Sequence, residues 1–148
     1  MAVRANQIFV NLPVKDLKKS VDFFTKVGFE FNAQFTDDLA TCMIIGENIY
    51  AMLLVEERFQ SFITKKIANA ADTTEVIVAL SVDTREQVDA IVQAALDAGA
   101  KSYNEPQDHG FMYGRSFQDL DNHLWEVSYI NLSAFPSNQR VGHVAKDC

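Results

Sequence analysis

The chain has 148 residues, 48% of them hydrophobic and 22% charged, with a formal net charge of −7. That length and balance fit one ordinary domain with a real core and exclude a disordered chain. No Lys/Arg cluster exceeds Lys18-Lys19 or Lys65-Lys66, so the basic stripe that a phosphate backbone demands is missing and no nucleic-acid partner is expected.

Residues 1–7 carry one arginine and no apolar leader segment, and apolar runs such as 49–55 are too short to cross a bilayer. A cytoplasmic protein with no membrane partner is the expectation. A first strand is predicted at 8–14. Ile8, Val10, Leu12 and Val14 alternate onto one face, and Phe9, Asn11 and Pro13 onto the other. Asp16 then reads as an N-cap. Leu17, Val21 and Phe24 recur at helical spacing, and Gly28 can end the helix in a left-handed conformation. Strand-like segments follow at 30–36, 40–45 and 49–55.

The next stretch, 56–73, sets Phe59, Phe62, Ile63 and Ile67 on one helical face. It reads either as a connector helix packed on a sheet or as a lid over a pocket. Beyond it the first pattern returns. Val76, Val78, Leu80 and Val82 share one face of a strand, with Glu75, Ile77, Ala79 and Ser81 opposite. Thr84 and Gln87 have capping-box spacing, Val88, Ile91, Val92 and Ala95 form an apolar stripe, and Gly99 closes the helix. Strands are predicted at 101–104, 111–117 and 124–130.

The order βαβββ thus occurs twice. The expected fold class is α+β: one domain of two tandem βαβββ modules, at about 7–55 and 74–132, joined by the 56–73 connector and ending in a polar tail at 133–148. Cys42 lies among apolar residues and Cys148 is terminal, so we expect a buried thiol and a loose one rather than a disulfide or a cysteine metal site. His109, His123 and His143 read as surface histidines, with His109 a candidate general base. Trp125 reads as core against a helix or as an oligomer interface.

The run from Leu12 through Phe24 to Gly28-Phe29 resembles the first strand and helix of the vicinal oxygen chelate superfamily. That group comprises glyoxalases, bleomycin-resistance proteins and extradiol dioxygenases. Asp119-Leu120-Asp121-Asn122-His123-Leu124-Trp125-Glu126-Val127 resembles its closing hairpin. Tyr113-Gly114-Arg115-Ser116-Phe117 is similar to a subgroup of lactoylglutathione lyase-like proteins. The resemblance implies that the modules form a cupped mixed sheet and that pairs of chains form homodimers.

In the metal-dependent members four donors, usually His, Glu or Gln, His and Glu, line the cup. Carried onto this chain those positions fall on Phe9, about Leu53, Ile77 and Glu126. Three of the four are hydrocarbon, and one carboxylate does not hold a catalytic divalent ion. No metal and no other cofactor is therefore expected; nickel, zinc, manganese or iron is the alternative.

A tight turn at Asp121-Asn122 would set Arg115 and Glu126 on one sheet face as an ion pair, or free Arg115 to bind an anionic or carbonyl group, and Tyr113 would share that face. Asn11 faces the cup on the first strand. The expected function is a metal-free small-molecule binding protein with an apolar cup, its ligand-binding residues being Phe9, Asn11, Leu53, Ile77, Tyr113, Arg115 and Glu126. The alternatives are a glyoxalase-type lyase and a protein-interaction module.

Overall fold

The structure is a computed structural model, and it describes residues 2–133. The expected tail, with His143 and Cys148, lies almost wholly outside the described residues. In chain order the elements are β1 (Ile8–Val14), α1 (Leu17–Val27), β2 (Glu30–Asn32), β3 (Ala40–Gly46), β4 (Ile49–Val55), α2 (Glu56–Ser61), β5 (Ile77–Ser81), α3 (Arg85–Asp97), β6 (Lys101–Ser102), β7 (Gln107–Asp108), β8 (Met112–Gln118) and β9 (Leu124–Ile130). The two modules give two sheets, ordered β1-β4-β3-β2 and β5-β9-β8-β6, with the short β7 pairing on β8. In each sheet the first strand runs parallel to the last strand of its own module, β1 beside β4 and β5 beside β9.

Local chemistry sets the helix ends. The Asp16 carboxylate accepts from the Lys19 amide at 3.1 Å. Gly28 closes α1 at φ 123°, a conformation that costs glycine nothing because it has no Cβ. Thr84 and Gln87 form the reciprocal capping box at the start of α3. Two predicted strands are shorter than expected. Residues 33–35 form a 3-10 turn capped by the Asn32 side chain, and β6 stops at Ser102. The connector is helical only to Ser61, and Gln60 then holds the Lys65 carbonyl at 2.8 Å.

Both long helices cover one side of the two sheets, and a single core runs through both modules. Val10, Leu12 and Val14 from β1 join it with Val78, Leu80 and Val82, as the alternation predicted. Trp125 is fully buried at its centre, 5.3 Å from Phe24 of α1 and 6.3 Å from Phe117 of β8 between ring centroids. A helix of the first module thus packs on strands of the second. Truncating one of these aromatics to alanine would cost about 3–5 kcal/mol.

Candidate functional site

Strand pairing decides which side chains reach the face turned away from α1 and α3, the cup face. In the first sheet Phe9 is set beside Tyr50, Asn11 beside Met52 and Pro13 beside Leu54. The Phe9 and Tyr50 rings stack at 4.8 Å. In the second, Ile77 is beside Leu124, Ala79 beside Glu126, and Ser116 of β8 beside Glu126 from the other flank. Phe9, Asn11, Ile77 and Glu126 therefore lie on the cup face, and all four are exposed.

Three expected cup residues do not lie there. Leu53 is buried in the helix-facing core, opposite Leu12; Met52 has the cup-side place. Because side chains alternate with period two, a displacement of one residue moves a side chain through the sheet. Tyr113 and Arg115 also point to the helix side. The loop between β8 and β9 runs over five residues, 119–123, rather than a tight two-residue turn. Its odd length sets Arg115 opposite Val127 and Ser116 opposite Glu126.

The Arg115–Glu126 ion pair is thereby excluded. Arg115 instead pairs with Asp89 of α3 at 3.1 Å, and the Tyr113 hydroxyl donates to the same carboxylate at 2.6 Å. The Tyr113 hydrogen bond, with Arg115 behind it, pulls the Asp89 carboxyl below its usual range. Next to them Arg85 grips Asp108 through two nitrogens at 2.8 and 2.9 Å and lies 5.0 Å over the Tyr113 ring. This cluster fastens β7 and β8 to α3. Its charges are engaged with one another.

The loop that displaced Arg115 has its own anchor. Asp119 is buried and accepts from the Trp125 indole at 2.8 Å and from the Asp121 and His123 amides at 2.9 and 3.0 Å. Burial pushes its carboxyl up, and the His123 imidazole together with these donors opposes that shift. So held, the loop reaches the first module. Asp121 accepts from the Lys15 amide at 2.9 Å and the Ser20 hydroxyl at 3.3 Å, and the His123 Nε2–H donates to the Pro13 carbonyl at 2.7 Å.

Beside this junction lies a pocket of about 370 Å³. Asn11 and Pro13 from β1, Asn122, His123 and Leu124 from the loop and β9, and residues of the connector line it. Phe59, Ile63 and Ile67 line it from the connector, as do Lys65, Lys66 and residues 73–76. Of the four apolar side chains expected on one face of the connector, three line the pocket; Phe62 turns outward and is 66% exposed. A more polar hollow of about 340 Å³ adjoins it, sharing Pro13, Ile67, Asn122 and His123. His123, read from the sequence as a surface histidine, is thus a half-buried pocket residue. Its position just after a turn carried no signal of that. His109 lines neither hollow and lies against Phe111.

A divalent ion needs several nitrogen or oxygen donors converging. On the cup face Phe9 and Ile77 offer none, Met52 offers a thioether, and Glu126 is the one carboxylate of the set. Among the described residues no group of three or more His, Cys, Asp or Glu could hold a metal ion. These side chains do not fit the four-donor site. No described helix is long and apolar enough to cross a membrane.

The sequence model of the Glyoxalase/Bleomycin resistance protein/Dioxygenase superfamily matches residues 6–127. Among solved structures the chain is similar to the hypothetical protein SA1046 from S. aureus, at 29% identity and a TM-score of 0.72, covering 86% of this chain and 95% of that one. It is also similar to a glyoxalase/bleomycin resistance protein/dioxygenase family enzyme from Burkholderia phytofirmans PsJN, at 18% identity and a TM-score of 0.70, over 85% and 99% of the two chains. TioX from Micromonospora sp. ML1 has 20% identity and a TM-score of 0.61, over 85% and 99%. No curated protein matches the chain. The repeat of βαβββ modules, their parallel first-to-last strand pairing and the family match agree: the chain belongs to the Glyoxalase/Bleomycin resistance protein/Dioxygenase superfamily.

Proposed function

We propose that this chain is a metal-independent binding protein for a mid-sized, partly apolar small molecule, held where the cup face meets the connector. The observation that carries the reading is the junction pocket, which Phe59, Ile63 and Ile67 line together with Pro13 and Leu124. A volume of about 370 Å³ lies in the range of small-molecule sites, which are mostly apolar with a few orienting polar groups. Hydrocarbon at Phe9 and Ile77, two of the superfamily's donor positions, supports binding without an ion.

The test is metal analysis of the purified full chain beside a thermal-shift series with nickel, zinc, manganese and iron. The expected result is no stoichiometric ion and no rise in melting temperature. A strong rise with any one of them would overturn metal independence, because a ligand that binds only the folded state must raise its stability.

Glu126 supports a second reading, a glyoxalase-type lyase, since it keeps one carboxylate exposed on the cup face. Turnover of a hemithioacetal, with and without added nickel or zinc, separates the two; no turnover in either case removes the lyase. A homodimer belongs to the same proposal. Phe9 and Ile77 leave 44% and 57% of their surface exposed on the cup face, and a second copy covering them would take that apolar surface out of water. Light scattering that gives a monomer mass at working concentration would remove it.

A further inference from the structure

We propose that the junction pocket selects an amphipathic anion, a small aromatic or branched carboxylate or sulfonate, with its apolar body against Phe59, Ile63 and Leu124 and its acidic group at Lys65 and Lys66. The inference rests on the binding reading and deepens it by naming the ligand class.

The chain carries a net charge of −7, yet two adjacent lysines line this pocket against one carboxylate, Glu75. The ion pairs among the described residues use Arg58, Arg85 and Arg115, and neither pocket lysine takes part. The Gln60 side chain donates to the Lys65 carbonyl at 2.8 Å and so ties the backbone that carries them.

Neutral donors are set around the same space. Thr74 lines it, as does Asn11, whose amide gives one hydrogen to the Phe9 carbonyl at 3.2 Å and keeps another. The His123 Nε2–H is engaged with Pro13. The apolar residues cannot tell one hydrocarbon body from another by more than its shape, so the charge is what sets the class. A pair of exposed lysines at the edge of an apolar pocket favours an anion over its neutral counterpart, and an ammonium–anion contact is stronger than a neutral hydrogen bond.

Two probes with one body separate the terms. 8-Anilinonaphthalene-1-sulfonate carries an anionic group; N-phenyl-1-naphthylamine has the same rings and none. Fluorescence titration of the full chain at low salt is expected to give at least about tenfold tighter binding of the sulfonate, the ratio one charge-assisted contact supplies. The double variant K65Q/K66Q should bring the sulfonate to the affinity of the amine and leave the amine unchanged. High salt should narrow the difference in the wild type. Ile63→Trp, which fills the pocket, should weaken both probes; Thr74→Trp does the same from another part of the lining if the first variant fails to fold.

Equal affinity for the two probes, with no effect of K65Q/K66Q, overturns the anion assignment and leaves the pocket reading intact. No binding of either probe overturns the pocket reading and this inference with it. Sulfonate binding that neither tryptophan variant disturbs puts the probe elsewhere and overturns the assignment as well.

Discussion

The His123 imidazole and the Pro13 carbonyl, 110 positions apart in the chain, meet at 2.7 Å and join the end of β1 to the start of β9. A carbonyl only accepts, so Nε2 carries the proton. The bond ties one module to the other at the rim of the pocket, beside Asp121, which holds Lys15 and Ser20 of the first module.

His123→Ala should therefore loosen the junction. One half-buried hydrogen bond contributes about 1 kcal/mol, which in a domain of this size is about 3 °C in melting temperature. Calorimetry reads the shift, and probe affinity should fall with it because His123 also lines the pocket. An unchanged melting temperature would mean that the bond does not hold the modules.

Asp119→Ala should cost more. It leaves the Trp125 indole N–H without its acceptor in the centre of the core, along with the Asp121 and His123 amides. An abandoned buried donor costs about 1–3 kcal/mol. The loss should exceed that of His123→Ala, and the tryptophan emission should change as its environment opens. Asp119→Asn keeps one acceptor oxygen and should fall between the two.

Acid should weaken the α3–β8 cluster. Arg85 holds the Asp108 carboxyl far below its usual range, and Tyr113 with Arg115 lowers Asp89. A carboxyl that is more acidic folded than unfolded stabilises the fold above its unfolded value, near 3.9. That contribution is lost as pH falls below it toward the folded value. Melting temperature followed from pH 7 to pH 2 should show the wild type losing its lead over the D89N/D108N variant below about pH 4. The lead should be small and salt-sensitive, because both carboxylates face solvent. Parallel curves would show that neither pairing matters to stability.

The Cys42 thiol, buried in β3 and pushed up by desolvation, should resist modification. In a Cys148→Ser background a thiol reagent should label nothing in the native protein and one thiol after unfolding. Rapid native labelling would mean that β3 opens from the sheet.

Much of this fold is legible along the chain, for reasons that reside in short stretches of it. The alternation of Val10, Leu12 and Val14, the Asp16 cap, the Gly28 stop and the Thr84–Gln87 box each depend on neighbours within a few positions. Their recurrence in the second half made the two modules readable before any contact between them was known.

Of the seven expected ligand-binding residues, Asn11 alone lines the junction pocket. Phe9, Asn11, Ile77 and Glu126 lie on the cup face because alternation within their own strands puts them there. Leu53 went to the core because the pairing of β4 with β1 sets it beside Leu12. Arg115 and Tyr113 crossed the sheet because the Asp119-anchored loop has an odd number of residues.

What the sequence by itself determined is the set of elements, their caps and the repeat, since local sterics and side-chain period suffice for these. The pocket came only with tertiary structure. Its walls are drawn from β1, the connector and the β8–β9 loop, and the ring of His123 has no reason to meet Pro13 until packing around Trp125 draws the two modules together.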